Sequence, residues 1–447
     1  MRRLRPSAVR CLALSLALWG GATGVTSAQP VSAADGLPWP ELVSRGLARD
    51  SQWRAAREQA EAAEAQWVQA RSRLYPRAGV TVTRGQSSDV DLGQPVDRRR
   101  ERSEATLRWN LFNGLADKSL IEATALERDA ARVEAQRARD EAVERLAEAA
   151  ADVLRLQRVL QRSSQRLDEV QRLSGLVVRQ AQAGRGSEAD LQLAASGLVN
   201  ARVAHDTLLA DLAAARLKLA LLLGEPAGAR ITPARFDAPR LSADEAARLA
   251  EQAPQAGPAH RAAALRAEAA RRRPGPVAAD YLPKLDLDLR RRLSENTRPL
   301  PTTTTQGSWS VGLTYEVPLG GEAGARRDEA LHRAAAAAAE AERVALAVQV
   351  EAGGVRLRLA QAEEAVPLLQ RQVDSLAVVV NASELQYEAG RRSLLQLMDL
   401  RDQRFAAEQR QAENDQRVLL SRLRLLSLGG GLGAALGLPP LDGPAAP

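Results

Sequence analysis

The chain has 447 residues, 62 Lys and Arg against 55 Asp and Glu, and only 3% aromatic residues. Alanine, leucine, arginine and glutamate dominate, a mixture that predicts long helices rather than a compact enzyme fold. The net charge of +7 is spread along helical stretches, which gives no basis for nucleic-acid binding, and a single cysteine, Cys11, excludes a disulfide framework or a thiolate metal site.

Residues 1–28 read as a signal peptide. Arg2, Arg3, Arg5 and Arg10 precede an apolar run from Cys11 to Trp19, and "VTSA" offers small residues before Gln29. The run falls well short of the ~20 residues that a spanning helix needs. Cleavage there removes Cys11 and four arginines, leaving a nearly neutral chain without cysteine.

A first repeat is predicted over 29–235. A helix stops at Pro76, since proline disfavours helix at the residue before it. A strand follows at about 77–84, with Ala78, Val80 and Val82 on one face. "RGQSSDVDLGQPVDRRRER" reads as an exposed loop, whose cluster Arg98 to Arg100 is either solvated or in contact with anionic lipopolysaccharide. The second strand, about 103–112, alternates Ala105, Leu107, Trp109 and Leu111 with Glu104, Thr106, Arg108 and Asn110. Gly114 marks the return to helix. A helical hairpin then occupies about 115–223, with its tip at 183–187. Its first arm, on the order of 100 Å long, suits coiled-coil packing. In "AGRGS", Gly184 supplies the reversal and Ser187 caps the returning helix.

The linker "EPAGARITPARFDAPRLSADEAARLAEQAPQAGP" carries one short helix near Asp244 to Gln252. The second repeat, 236–428, restates the first. Its strands fall at about 284–291, with Leu285, Leu287 and Leu289 against Asp286, Asp288 and Arg290, and at about 308–317, with Trp309, Val311, Leu313, Tyr315 and Val317 on one face. "RRLSENTRPLPTTTTQG" joins them as a second loop, and "PLGG" leads back to helix. The second hairpin spans about 322–428, with a kink expected at Pro367 and a tip, "AGRRS", at 389–393. Residues 429–447 read as a loose tail. Gly184 and Gly390, Ser187 and Ser393, and Gly224 and Gly430 all stand 206 residues apart, the mark of an internal duplication.

Alternating strands fit a soluble half-buried sheet. At about ten residues in an exported chain they also fit a lipid-facing barrel with a wet lumen. Trp109, Trp309 and Tyr315 suit either membrane interfaces or a core. Four strands cannot close in lipid without orphaned edge groups. Two chains would give eight strands and a filled interior, and three would give twelve and a lumen.

These features together resemble the TolC-like family of outer-membrane efflux and export proteins. The resemblance rests on the signal peptide, "LYP" and "YLP" before strands, "WNLFNG" and "YEVPLGG" after them, and "YEAGRRSLLQLMD". It implies a mixed α and β membrane protein, with four strands per protomer in a shared twelve-stranded outer-membrane barrel and a long α-helical coiled-coil barrel across the periplasm. It implies a homotrimer in outer-membrane lipid, working with a periplasmic adaptor (a membrane fusion protein) and an inner-membrane transporter. The role implied is the exit duct of a tripartite efflux pump or a type I secretion system, with no cofactor. Adaptor-docking tips fall on Ala183, Gly184 and Arg185 and on Ala389, Gly390 and Arg391. The gate falls on Tyr387, Arg392, Asp190 and Asp399. Two positions depart from the family pattern: Gln396 stands where the first of two constriction aspartates falls, Asp399 matching the second, and Ala189 replaces a hydroxyl on the first tip. A weaker closed-state network and a less negative constriction follow.

The residues alone leave one rival, a periplasmic coiled-coil adaptor or scaffold without a pore, which explains the helices but not the four strands. An enzyme has less support: His205, His260 and His332 are scattered, and no nucleophile or metal-ligand pattern appears.

Overall fold

A computed structural model of the chain describes residues 36–438, apart from 92–93, 185, 227, 230, 235, 237, 274, 276–278, 280–281, 299–306 and 317–319, and describes 87–100 and 296–298 by backbone alone. The signal peptide, Arg185 and the side chains of Arg98 to Arg100 therefore lie outside the described residues.

The duplication is visible as geometry. The order is α1 (Trp39–Arg49), α2 (Ser51–Ser72), β1 (Arg77–Asp91), β2 (Gln94–Asn113), α3 (Ala116–Gln182) and α4 (Glu188–Leu223). It continues with α5 (Ala243–Ala256), α6 (Pro258–Arg272), β3 (Lys284–Arg298), β4 (Gly307–Thr314), α7 (Glu322–Glu388), α8 (Leu394–Leu428) and a short α9 (Leu432–Ala435). The two long helices, α3 and α7, have 67 residues each, or about 100 Å at 1.5 Å per residue. Both turn on a glycine in the left-handed region, Gly184 at φ +74° and Gly390 at φ +70°, where a side chain would be strained. Both returning helices are capped by serine. Ser187 accepts from Asp190 N–H, and Asp190 answers in a reciprocal capping box. Ser393 accepts from Gln396 N–H. α7 runs through Pro367 as one element.

The four strands form one antiparallel sheet in the order β1-β2-β3-β4. The central pair, β2 and β3, joins the two repeats. Register puts Ala78, Leu107, Leu289 and Trp309 in one cross-strand row. Arg108 and Asp288 are partners on the opposite face, 3.2 Å apart, and Asn110 Nδ2 donates to Asp286 Oδ1 at 2.7 Å. The apolar face is open: Val80, Val82, Trp309 and Leu313 are each about 70% exposed.

Sequence placed loops where β1 and β2 in fact continue. They stay paired as far as Asp91 and Gln94, and β3 runs on to Arg298, while β4 stops at Thr314. Apolar alternation ends near residue 84, but pairing does not need it. Backbone hydrogen bonds persist, and opposite charges such as Arg84 and Glu101, 2.9 Å apart, sit directly across the hairpin.

α3 is the axis of the helical part. It packs against α1, α2, α4, α6 and α8. Leu146, Val153 and Leu156 meet Leu42 of α1 and Leu212 and Leu219 of α4. α7 packs with α5, α6 and α8 through Val348, Val355, Leu359, Val418 and Leu425. Ion pairs tie the second hairpin to α3: Arg166–Asp402 at 2.6 Å, Arg158–Asp415 at 2.8 Å and Arg424–Glu144 at 2.9 Å. The segment read as a loose tail begins with packed structure. Leu432 is fully buried, and Leu436 and Leu438 lie against the same cluster as Val43, Val143 and Leu423. The apolar spacing Leu432, Leu436, Leu438 carried that signal.

Beneath this C-terminal turn lies Asp140 of α3, fully buried, with Oδ1 3.5 Å from Arg139 Nε. Burial pushes its carboxyl up to about 6; Arg139 pulls the other way, and Glu144 and Glu141 add to the rise. The folded chain thus holds this proton to higher pH than the unfolded chain does, so its contribution makes stability fall as pH rises from the ordinary carboxylate range to about 6. Asp140→Asn is expected to flatten the pH dependence of the unfolding midpoint between pH ~4 and ~6. Thermal unfolding at a series of pH values checks this, and an unchanged slope would assign the dependence elsewhere.

Candidate functional site: the hairpin tips

The tips stand at the ends of α3 and α7, and the equal length of those helices brings them to the same end of the molecule. Below them, Leu173 and Val177 of α3, Ala194 of α4, and Leu394 and Leu397 of α8 form a small buried cluster, with Tyr387 partly buried against it. This cluster holds the two hairpins together near their ends, and the polar groups of the site surround it.

Ala183, Gly184, Ala389, Gly390 and Arg391 are exposed. A side chain added at either tip glycine would meet nothing within 4 Å, so the surface is open for a partner. Arg185 lies outside the described residues.

Tyr387 crosses between hairpins, its hydroxyl donating to Gln180 Oε1 of α3 at 3.2 Å. Burial, and then the charge of Asp190, raises the Tyr387 pKa, which puts Asp190 within electrostatic reach of the tyrosine. Asp190 itself is engaged locally: Ser187 Oγ donates to its Oδ2 at 2.7 Å and Ser187 N–H at 3.4 Å. Arg392 folds back on its own hairpin. Its Nη1 donates to Ser383 Oγ at 2.7 Å and to Gln386 Oε1 at 3.3 Å, and its Nε is buried without a partner among the described residues. Asp399 is exposed and accepts from Gln403 Nε2 at 2.8 Å. The single chain thus brings Tyr387 and Asp190 together, and leaves Arg392 and Asp399 each on partners within the α7–α8 hairpin.

Sequence reasoning missed those partners. Ser383 is buried and also donates to Val379 O at 2.6 Å. Glu384 pairs with Arg401 at 2.6 Å, and that arginine side chain is only 8% exposed. Arg166 reaches Asp402 and lies 5.0 Å from the Phe405 ring centroid. Helical periodicity on α7 offered one weak signal: Ser383 and Glu384 precede Tyr387 by four and three residues, so they share its side of the helix.

No helix among the described residues is long and apolar enough to cross a membrane, a statement that does not bear on strands. The sequence profile described as "Outer membrane efflux protein" matches residues 42–225 and 249–431, one segment for each repeat. Solved structures share the fold. CusC, described with transmembrane channel formation, is 19% identical with a TM-score of 0.76, over 88% of this chain and 92% of its own. The Campylobacter jejuni CmeC outer membrane channel is 14% identical with a TM-score of 0.76, over 88% and 86%. The open state of the Neisseria gonorrhoeae MtrE outer membrane channel is 18% identical with a TM-score of 0.74, over 89% and 90%. No curated protein sequence compared with the chain matches it.

Removing Glu384 leaves the largely buried Arg401 without its carboxylate. Because Glu384 is itself about a third exposed, the expected cost of Glu384→Ala is about 1–2 kcal/mol, below that of a fully buried pair. It should appear as faster amide hydrogen exchange in the last turns of α7 and the first turns of α8, with the distant sheet unaffected.

Proposed function

The chain belongs to the outer membrane efflux protein family, whose channels form trimers that work with efflux-pump partners, and on that premise we propose a passive exit duct gated at the hairpin tips. It is an outer-membrane efflux channel with its helical part in the periplasm. It conducts and does not catalyse.

The observation that carries the duct is the four-stranded sheet, with two edges unpaired among the described residues and an open apolar face. Lipid accepts the face but not the edges. Three copies supply twelve strands, close the sheet on itself and leave a lumen lined by the Arg108, Asp288, Asn110 and Asp286 face. The helices carry matching evidence. Val199, Val203, Leu209 and Leu221 of α4, and Leu346, Val350, Leu357, Val378 and Leu385 of α7, are all exposed in the single chain. Such long apolar stripes on a coiled coil call for neighbouring helices.

Cargo enters at the tips. We assign Ala183, Gly184 and Arg185, with Ala389, Gly390 and Arg391, to docking a periplasmic adaptor, which links the duct to an inner-membrane transporter. Tyr387, Arg392, Asp190 and Asp399 form the gate, and adaptor binding favours the state in which the α7–α8 hairpins have parted. One aspartate per chain at the constriction, with Gln396 in place of a second, makes the closed end less negative. The cargo belongs to whichever transporter the adaptor recruits, in an efflux pump or a type I secretion system.

Two measurements test this. Arg392→Ala in a planar bilayer should raise conductance severalfold, because it removes a closing contact of about 1 kcal/mol in each of three chains; conductance equal to wild type removes Arg392 from the gate. A photo-crosslinker at Ser393 in cells should capture a periplasmic adaptor, and capture of neighbouring copies alone would leave the trimer but remove the docking assignment.

A further inference from the structure

We infer that Arg291 is a docking point for the phosphate of an outer-leaflet glycolipid, on the lipid-facing side of the barrel. The inference rests on the strands spanning the outer membrane, and it adds a site that the duct does not require.

The alternation of β3 places Leu285, Leu287, Leu289 and Arg291 on one face, and Asp286, Asp288, Arg290 and Arg292 on the other. The register confirms the assignment. Leu289 lies between Leu107 and Trp309, and Arg291 lies between Ala105 and Gly307, with the two irregularities of the β2–β3 pairing falling beyond Arg292 and between Asp286 and Leu285. Arg291 therefore continues the apolar row that lipid covers. Its neighbours on the polar face are provided for: Arg290 lies 4.0 Å from Asp288 and Arg292 lies 2.9 Å from Glu295. Arg291 is exposed and makes no hydrogen bond or ion pair with any described residue.

Its height decides what can meet it. Leu285 is opposite Leu313, and Tyr315, 61% exposed, follows Leu313 by two residues toward the helices, just past the end of β4. From Tyr315 to Arg291 is a climb of about 20 Å for strands tilted as in outer-membrane barrels. The guanidinium adds the length of its own side chain, which reaches toward the interface. An apolar band of about 25 Å that begins near Tyr315 therefore has Arg291 close to its outer rim, one row inside Val82 of β1. Both row-mates of Arg291, Ala105 and Gly307, are small, and Val80 follows Ala105 on β1, which leaves the guanidinium exposed within its own row. At that depth a cation without a protein carboxylate takes its partner from the headgroup layer. The planar fork of arginine matches a phosphate bidentately, and the acyl chains below lie on Leu107, Leu289 and Trp309. The fitting partner is a phosphorylated, multiply acylated glycolipid of the lipid A kind.

The test uses the detergent-purified trimer in native mass spectrometry, equilibrated in turn with bisphosphorylated lipid A, the same lipid stripped of phosphate, and inorganic phosphate alone. Wild type is expected to retain the phosphorylated lipid roughly tenfold better than the stripped one, and to hold no inorganic phosphate. Arg291→Ala should lose that preference while remaining trimeric, and Arg291→Lys should keep part of it. Should Arg291→Ala fail to assemble, Arg291→Gln, which keeps a polar but uncharged side chain, reads the same difference. Equal retention of the two lipids by wild type, an undiminished preference in the neutral variant, or tight binding of free phosphate would each overturn the assignment. None of these results touches the duct, which stands or falls on conductance and crosslinking at the tips.

Discussion

A backbone amide or carbonyl in hydrocarbon must find a partner inside the protein, and a sheet of four strands cannot meet that demand alone. Among the described residues, β1 and β4 each leave one edge unpaired. Everything distinctive about this chain follows from answering it with further copies. The sheet must curve and close with neighbours, so the apolar rows face outward and the Arg108–Asp288 and Asn110–Asp286 rows face the lumen. The helices that continue from the strands inherit the same arrangement and must also pack between copies. That is why α4 and α7 expose leucines and valines that a solitary protein would bury.

Duplication supplies the closure cheaply, and the two copies have since taken different places. α3 and α7 have the same length, the same glycine at the turn and the same serine cap. Yet α3 packs against α1, α2, α4, α6 and α8 and buries a long run of Ala, Val and Leu, whereas α7 carries exposed apolar residues along most of its length. Equal length matters to function more than equal packing does. It is the shared rise per residue that brings Gly184 and Gly390 to one level, as the proposed docking of one partner on both tips requires.

Much of this was legible in sequence because it is periodic or local. Alternation at Leu285, Leu287 and Leu289 identified a strand face. Proline at 76 and 283 and glycine at 184 and 390 marked the breaks, and the constant offset between repeats exposed the duplication. What stayed hidden is what periodicity does not encode. The polar continuation of β1 and β2 past Arg84 has no apolar rhythm, and is held by backbone pairing and by charges that meet only once the hairpin exists. At the tips the resemblance supplied the names of the residues but not their partners. Gln180 for Tyr387, Ser383 and Gln386 for Arg392, and Glu384 for Arg401 are contacts set by how two helices cross.

Those partners bear on how a gate at this end would be poised. In the single chain Arg392 already has two hydrogen-bond acceptors, and Asp190 already serves as half of a capping box. A closing contact between such groups would replace existing hydrogen bonds rather than fill empty ones, and a swap of that kind nets little free energy. Three weak contacts around a ring can still hold a tunnel shut, because their energies add when the three hairpins move together. The same smallness means that a partner binding the open tips only slightly better than the closed ones can shift the population. The Glu384–Arg401 pair, buried on its arginine side, and the Leu173, Val177, Leu394 and Leu397 cluster have the opposite character. The ion pair ties α7 to α8 within the second hairpin, whereas the cluster ties that hairpin to the first, so a parting of the α7–α8 hairpin at this end has to give up the apolar contacts as well as the polar ones.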